Sequence, residues 1–418
     1  MKKHKVFYGW WIVGALLLIS AYIQGIITFG FTAIFDPIAN EFGWSYAQVS
    51  LAASIRGLET GLLAPLVGVL VDRLGARKLV FTGILITGLG LVLLSRITSL
   101  VMFYGVFILI ASGMSTCLGV LPMTVVGNWF RSRVSIATGI VVSGVALGGL
   151  LVQIITRLID IFGWRTAMII FGLGAWIILL PLSLIIRHKP EQYGYLPDGD
   201  LSKKPLSHKG SSTVQYKEND IEAGKAFKSG VFWHISLSLM CHVLVINAVL
   251  THIMPYLSTI GIARSTSSMV ASALPITSIL GRLSFGWFGD RFNKKRVTAV
   301  GFILTSLSML LFGYVGSMGT WLLPIFLILF GVGYGGPIPM IPALFRESFG
   351  RASLGAILGF SQGITVLGTI IGPPLAGWVF DSFGNYQGAW FAFAGVTMAG
   401  LVILMTTPPI GESTGTVN

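Results

Sequence analysis

The sequence predicts an all-α integral membrane protein: twelve transmembrane helices arranged as two pseudo-symmetric six-helix bundles. Three observations predict it. The composition is too apolar for a soluble domain. The apolar residues fall into twelve long runs. Short charged motifs recur once in each half of the chain.

The 418 residues are 54% hydrophobic and 10% charged, with a mean hydropathy of +0.83. Soluble domains carry about 25% charged residues, so such a chain could not cover its surface with polar groups, and the bilayer is its natural solvent. Cys117 and Cys241 both sit inside apolar runs and read as small core residues, uninformative about redox compartment. The N-terminal "MKKHKVFYGWWIVGALLLIS" resembles a signal peptide, but its apolar run is too long and has no clear small-residue cleavage site; it reads as a retained span.

The runs are 9–35, 45–71, 79–96, 102–127, 134–158, 166–186, 231–258, 266–289, 297–316, 320–344, 353–380 and 388–407. Most reach the ~20 residues that a helix needs to cross the hydrocarbon. Helices satisfy their own backbone in lipid, and runs this long exclude a barrel, whose strands alternate and are about half as long. The basic residues orient the array. With the N-terminus inside, 22 of the 28 fall on the inner side and four (Arg96, Arg157, Arg165, Arg264) on the outer, while Arg56 and Arg282 lie within spans. This asymmetry places both termini in the cytoplasm. It also explains the net charge of +13 without nucleic acid. Residues 188–230 are polar and read as a cytoplasmic linker between an N-terminal bundle, 1–187, and a C-terminal bundle, 231–418.

The halves echo each other. "GVLVDRLGARK" (Gly68 to Lys78) returns as "GWFGDRFNKKR" (Gly286 to Arg296), with Gly68, Asp72 and Arg73 matching Gly286, Asp290 and Arg291 at an offset of 218. Pro122, Phe130, Arg131, Gly144 and Gly148 match Pro337, Phe345, Arg346, Gly359 and Gly363 at an offset of 215. "DIFGW" at Asp160 is echoed by "DSFGN" at Asp381. Two parallel six-helix halves related by an axis along the membrane normal are the architecture of the major facilitator superfamily, and the first motif resembles that superfamily's loop between helices two and three. At the inner end of span two, Asp72 lies near the positive ends of neighbouring helices. Asp72, Arg73, Asp290 and Arg291 thus form a candidate conformational latch; the alternative is that the bases only enforce topology.

Within the superfamily, "GPPLAGWVFDSFGNYQGAWFAFAG" (Gly372 to Gly395) resembles the monocarboxylate transporters through its Gly-Pro-Pro-Leu and through Asp381, Gly384, Tyr386 and Trp390. "YGWWIV" (Tyr8 to Val13) is similar to part of their opening Gly-Trp motif, and "NWFRSRVSIATGIVVSG" (Asn128 to Gly144) to their aromatic-basic start of helix five. The oxalate–formate antiporters share these patterns. The resemblance implies a small monocarboxylate such as lactate or pyruvate, moved with a proton, and no cofactor.

Of the charged residues, Arg56, Glu59 and Arg282 fall well inside spans. Each costs about 2.5–3.5 kcal/mol there on insertion scales and needs a partner or a role. Arg282 lies eight residues before Asp290, about 12 Å along a helix, near the middle of a ~30 Å core. A guanidinium stays charged and matches a carboxylate with a planar fork, so Arg282 is the candidate substrate anchor; the alternative is a pairing with Glu59 or a carbonyl. The resemblance agrees, since the family's helix-eight arginine aligns with Arg282. Two family groups linked to proton handling are missing: an aspartate four residues earlier is Ser278 here, and a helix-one lysine is replaced by Phe29 or a near neighbour.

Arg56 and Glu59, at i and i+3, can neutralise each other, or Glu59 titrates during transport. His242 and His252 in span seven are the other proton-coupling candidates, or else hydrogen-bonded helix contacts. Gln24, Asn247, Tyr334 and Gln362 are candidate ligand-orienting groups, or helix–helix hydrogen bonds worth about 0.6 kcal/mol each. No metal-spaced His/Asp cluster and no nucleophile–base pair marks an enzyme.

The expectation is a proton-coupled monocarboxylate transporter of the bacterial inner membrane, working as a monomer by alternating access. Its rivals are a carboxylate exchanger of the oxalate–formate type, which should want two fixed cations, and a non-transporting sensor, which should want an output domain larger than the linker.

Overall fold

The computed structural model describes residues 7–199 and 221–408, which form helices and connecting turns, with no strand among them. In chain order the helices are α1 (Tyr8–Ile23), α2 (Phe31–Phe42), α3 (Tyr46–Leu74), α4 (Ala76–Leu94), α5 (Leu100–Ser115), α6 (Val120–Trp129), α7 (Val134–Leu147), α8 (Val152–Gly174) and α9 (Leu180–Ile185). After the central segment come α10 (Ala223–Ala226), α11 (Gly230–Thr259), α12 (Arg264–Arg291), α13 (Lys294–Met318), α14 (Leu322–Gly335), α15 (Met340–Phe349), α16 (Leu354–Phe383) and α17 (Gln387–Met405).

Among the described residues, ten helical stretches are long and apolar enough to cross a bilayer. One of them, Val134–Ile185, has 52 residues and breaks at Gly163 (φ 76°, ψ 155°), so it holds two crossings. The 29-residue α3, less apolar because it carries Arg56, Glu59, Asp72 and Arg73, supplies the twelfth. It starts on a capping box: Ser45 Oγ accepts from Gln48 N (3.2 Å) and Gln48 Oε1 from Ser45 N (2.9 Å), which satisfies two orphan donors reciprocally. Large apolar side chains such as Leu62, Ile177 and Trp378 remain 62–72% exposed, as lipid-facing residues should be.

The chain packs as two units, Met1–Ala223 with Phe349–Gly359, and Gly224–Ser348 with Phe360–Asn418. In unit 1, α1 packs on α7, and α5 on α3 and α4. A π-helical turn (Gln24–Phe29) joins α1 to α2 and packs on a 3-10 turn (Gly148–Leu151) joining α7 to α8. Irregular backbone inside a membrane protein survives only where protein or a wet cavity surrounds it. One end of unit 1 is closed by the segment after α9. Trp129 Nε1 donates to Arg187 O (2.8 Å) and Tyr8 OH to Ile185 O (3.0 Å), while the Arg187 guanidinium lies over the Tyr8 and Tyr193 rings at 4.0 and 4.2 Å. Asp198 accepts from Arg131 N, Ser132 N and Ser132 Oγ at the start of α7.

In unit 2, α13 packs against both α14 and α17, and α12 against α14. The core is aromatic: Phe312 stacks on Phe326 at 4.0 Å, Trp390 is fully buried, and Tyr256 OH donates to Phe312 O (2.7 Å).

Candidate functional site

The site grows from the contact of α12 with α14. Gly335 lies so close to the Ser278 carbonyl that an added Cβ would clash with backbone; a glycine there is what lets the helices approach. Ser278 itself is fully buried, with Oγ turned back onto Pro275 O (2.7 Å). It is a packing residue and offers no ionisable group. One turn further, Arg282 is buried at 3% exposure. The guanidinium carbon sits 5.7 Å from the centre of the Tyr334 ring, and the Tyr334 hydroxyl is its electrostatic partner. Tyr334 immediately precedes Gly335, so the glycine contact places the tyrosine against the cation. The pair can hold a carboxylate: the guanidinium supplies parallel N–H donors and the phenol one more.

The other predicted residues fall in varied settings. Gln24 is half-buried at the first position of the π-helical turn, a feature frequent at functional sites. Asn247 donates to Val243 O (2.9 Å) and to Thr369 Oγ1 on α16 (3.3 Å), tying two helices. Gln362 is half-buried on α16 and its backbone carbonyl accepts from Thr365 Oγ1 (2.9 Å). His242 is buried at 2%, stacked on Phe302 at 4.7 Å, with the Gly333 backbone beside it. Neither of its ring nitrogens makes a well-formed hydrogen bond among the described residues. His252 is half-buried, with Nε2 2.9 Å from Pro373 O and Nδ1 3.1 Å from Tyr386 OH. A carbonyl only accepts, so Nε2 carries the hydrogen and Nδ1 accepts from the Tyr386 hydroxyl. The side chains of Phe29, Arg56 and Glu59 lie outside the described residues.

Asp72 stands at the N-terminus of α16, within unit 1. Its carboxylate accepts from Gly355 N (3.2 Å) and Ala356 N (2.8 Å). Gly68, one turn earlier, meets the Gly355 carbonyl with no room for a side chain, so α3 and α16 cross backbone to backbone and the acid reaches the helix end. A negative charge there satisfies orphan donors and the helix dipole together. Arg73 is exposed, Asp290 is half-buried, and Arg291 is exposed, lying over the Trp287 ring of its own helix at 3.8 Å.

Sequence reasoning missed three clusters. Glu41 accepts from Trp164 Nε1 (2.7 Å) and twice from Arg165 (3.0 and 2.7 Å), while Arg165 also reaches Ser95 O (2.6 Å) and Ile97 O (3.2 Å). Arg165 beside Glu41 holds that carboxyl below its usual range. His188, in the segment after α9, is buried at 8%, and burial pushes it down to about 4, with Lys189 adding to the effect. Lys295 and Glu347 line a cavity in unit 2. The only available signal was the echo of Asp160 in Asp381, which places Arg165 and Tyr386 at equivalent turns.

The fold and the buried cation define a multi-pass membrane protein of the solute-transporter class. The sequence pattern of the Major Facilitator Superfamily matches residues 13–263 and 253–416, and the chain belongs to that superfamily. It is 27% identical to monocarboxylate transporter 12 of Rattus norvegicus over 95% of this chain and 85% of that one. It is also 26% identical to monocarboxylate transporter 13 of Rattus norvegicus over 96% and 89%. In structure it resembles the proton:xylose symporter XylE (TM-score 0.74, 12% identity, 96% of each chain) and the E. coli fucose:proton symporter FucP (0.68, 16%, 96% and 99%). It likewise resembles the human organic anion transporter MFSD10 (0.66, 14%, 95% and 98%). These neighbours are transporters, not enzymes.

Proposed function

We propose that the chain carries a small monocarboxylate of the lactate or pyruvate type across a bacterial inner membrane, together with a proton, by alternating access. The observation that carries the reading is Arg282: a cation buried at 3% on α12, faced by the Tyr334 hydroxyl. A permanently charged guanidinium at that depth is costly, and an anionic substrate recovers part of the cost each cycle. The relatives named as monocarboxylate transporters support the substrate class.

Among the proton candidates Glu59, His242 and His252, we favour His252. It is only half-buried and bonded at both ring nitrogens, to Tyr386 OH and Pro373 O, whereas His242 is enclosed against Phe302. Gln24, Asn247 and Gln362 orient the rest of the ligand. Asp72, Arg73, Asp290 and Arg291 form the latch, whose Asp72 cap on α16 breaks and reforms during the cycle. Both termini face the cytoplasm and the monomer suffices.

Uptake of labelled L-lactate into vesicles, with and without an imposed proton gradient, tests the reading. Gradient-driven accumulation that Arg282→Lys abolishes is the expected result. Uptake indifferent to the gradient removes the proton. Efflux that needs an anion on the opposite side makes the protein an exchanger, and full transport by Arg282→Lys removes the anchor.

A further inference from the structure

Asp381 and Tyr386 carry much of the resemblance in the stretch Gly372 to Gly395, and unit 2 sets Tyr386 against His252 and Asp381 near Tyr386. Glycines make the seam where this happens. Gly368 and Gly372 of α16 meet the backbone of α11 at Met240 and Leu244 with no room for a side chain. The two helices therefore run close together, and polar groups bond across them. Asn247 Nδ2 donates to Thr369 Oγ1 (3.3 Å). One turn further along α16, His252 Nε2 donates to Pro373 O (2.9 Å). One turn beyond that, a Cβ on Gly377 would stand 3.7 Å from His252 Cε1. Thr369, Pro373, Gly377 and Asp381 follow at intervals of four, so they fall on one side of the helix. Helical Cα–Cβ bonds tilt toward the helix N-terminus, which turns Asp381, exposed at the end of that side, back toward His252.

Tyr386 stands between the two. Its side chain is buried and stacked on Phe380 at 4.5 Å, and its hydroxyl donates to His252 Nδ1 (3.1 Å). Burial, and then the Asp381 charge, push the phenol up, so it stays protonated and has a hydrogen to pass. Tyr256, one turn along α11, also packs on the Tyr386 ring at 5.9 Å, but its hydroxyl is committed to Phe312 O (2.7 Å). We propose that Asp381 and Tyr386 form the relay through which His252 takes up and releases its proton. The Asp381 carboxyl, protonated from bulk water, gives its hydrogen to the phenol oxygen, directly or through one water. The phenol O–H bond breaks as an N–H bond forms at His252 Nδ1. Asp381 ends as a carboxylate, Tyr386 as a neutral phenol and His252 as an imidazolium, so one proton has moved and the charges balance. The imidazolium keeps both bonds, donating from Nε2 to Pro373 O and from Nδ1 to the phenol oxygen. A carboxylate in direct contact with the imidazole would hold the proton as an ion pair; a neutral phenol between them passes it on. The inference rests on His252 as the coupled group. A relay sets the rate of proton delivery and leaves the stoichiometry alone, which separates it from the carrier.

The test uses the purified full-length protein in proteoliposomes, with labelled L-lactate and an imposed proton gradient. Tyr386→Phe, which keeps the stacked ring, should lower the initial rate of gradient-driven uptake about tenfold, the size of one lost hydrogen bond to a charged group. The half-saturating lactate concentration and the final accumulation ratio should not change. Asp381→Asn should lower the same rate, and its exposed position carries the test should the buried variant not fold. Imidazole buffer, a small proton carrier, should restore the rate of both variants, which it would not do for a packing defect. His252→Gln, by contrast, should lower the accumulation ratio itself. Wild-type rates in both relay variants, or slowed variants that imidazole does not restore, overturn the relay while His252 coupling stands. Full accumulation by His252→Gln removes the carrier and the relay with it. A wild-type protein that accumulates nothing under the gradient overturns the proposed function as well.

Discussion

The helices α3 and α12 occupy the same place in the internal repeat and do different things. They are 29 and 28 residues long, each holds one proline (Pro65, Pro275), and each ends on Asp-Arg or one residue beyond it. At the offset of 218, Arg282 corresponds to Ala64. Ala64 is buried at 4%, and its carbonyl presses on Gly359, so this point of α3 is spent on close packing. The same point of α12 carries a guanidinium. The repeat duplicated the scaffold, and a charge in one copy differentiates the halves. The turns at Gly163 and Gly384 differ likewise. Gly163 and Gly384 both have positive φ, but two residues later the chain makes an ionic tie in one half (Arg165 to Glu41) and a phenol–imidazole hydrogen bond in the other (Tyr386 to His252).

The sharpest way to break this comparison is to erase the asymmetry. Arg282→Ala should lower monocarboxylate uptake about 100-fold, from the loss of one or two charged hydrogen bonds of ~1.5–3 kcal/mol. Adding Ala64→Arg to that variant should not restore it, because α3 is packed shut there. Restored uptake would mean that the halves are interchangeable.

The next effect concerns the ends of these helices. His188 lies against Gly75, just beyond α3, and its proton is disfavoured in the fold, at about 4 against an ordinary 6.5. Between those values the unfolded chain binds a proton that the folded one excludes, so stability falls as pH drops through this window, by on the order of 3 kcal/mol at most. Melting curves from pH 7 to pH 4 should show the slope, and His188→Gln should flatten it. An unchanged slope would place the pH sensitivity elsewhere.

The tie between His252 and Tyr386 can be separated from a coupling role. His252→Gln should cut proton-driven accumulation about tenfold, near 1.4 kcal/mol, while leaving counterflow exchange intact. Parallel loss of both would make it a structural tie like Arg165 with Glu41. At the other end of α3, Asp72→Ala should cost about 1 kcal/mol of thermal stability, the size of a lost helix cap. The parallel change at Asp290 shows whether the second copy depends equally on its acid. The smallest effect belongs to the ionic tie. Both side chains are over a third exposed, so Glu41→Gln should cost under about 1 kcal/mol, and less at high salt.

The crossings, the repeat and a charge buried at Arg282 were legible because each is a property of one position or one run: hydropathy, offset, a charge where charge is expensive. The capping role of Asp72 was partly legible, as an acid near some helix start, but its partners Gly355 and Ala356 lie more than 280 residues away. The polar segment after α9 read as linker, since nothing in "RHKPEQYGYLPDG" says that its histidine is buried and its arginine sandwiched between tyrosines. The cavity beside Lys295 was invisible, because a void is defined by what several helices fail to fill.

By itself the sequence determined the solvent, the number of crossings and the cation that distinguishes the second half, because the free energy of placing each residue in lipid is largely a local sum. Only the tertiary structure decided which neighbours those residues meet: Tyr334 against Arg282 and the start of α16 against Asp72. Both meetings depend on glycine positions where two backbones come close enough for a side chain one residue or one turn away to reach across.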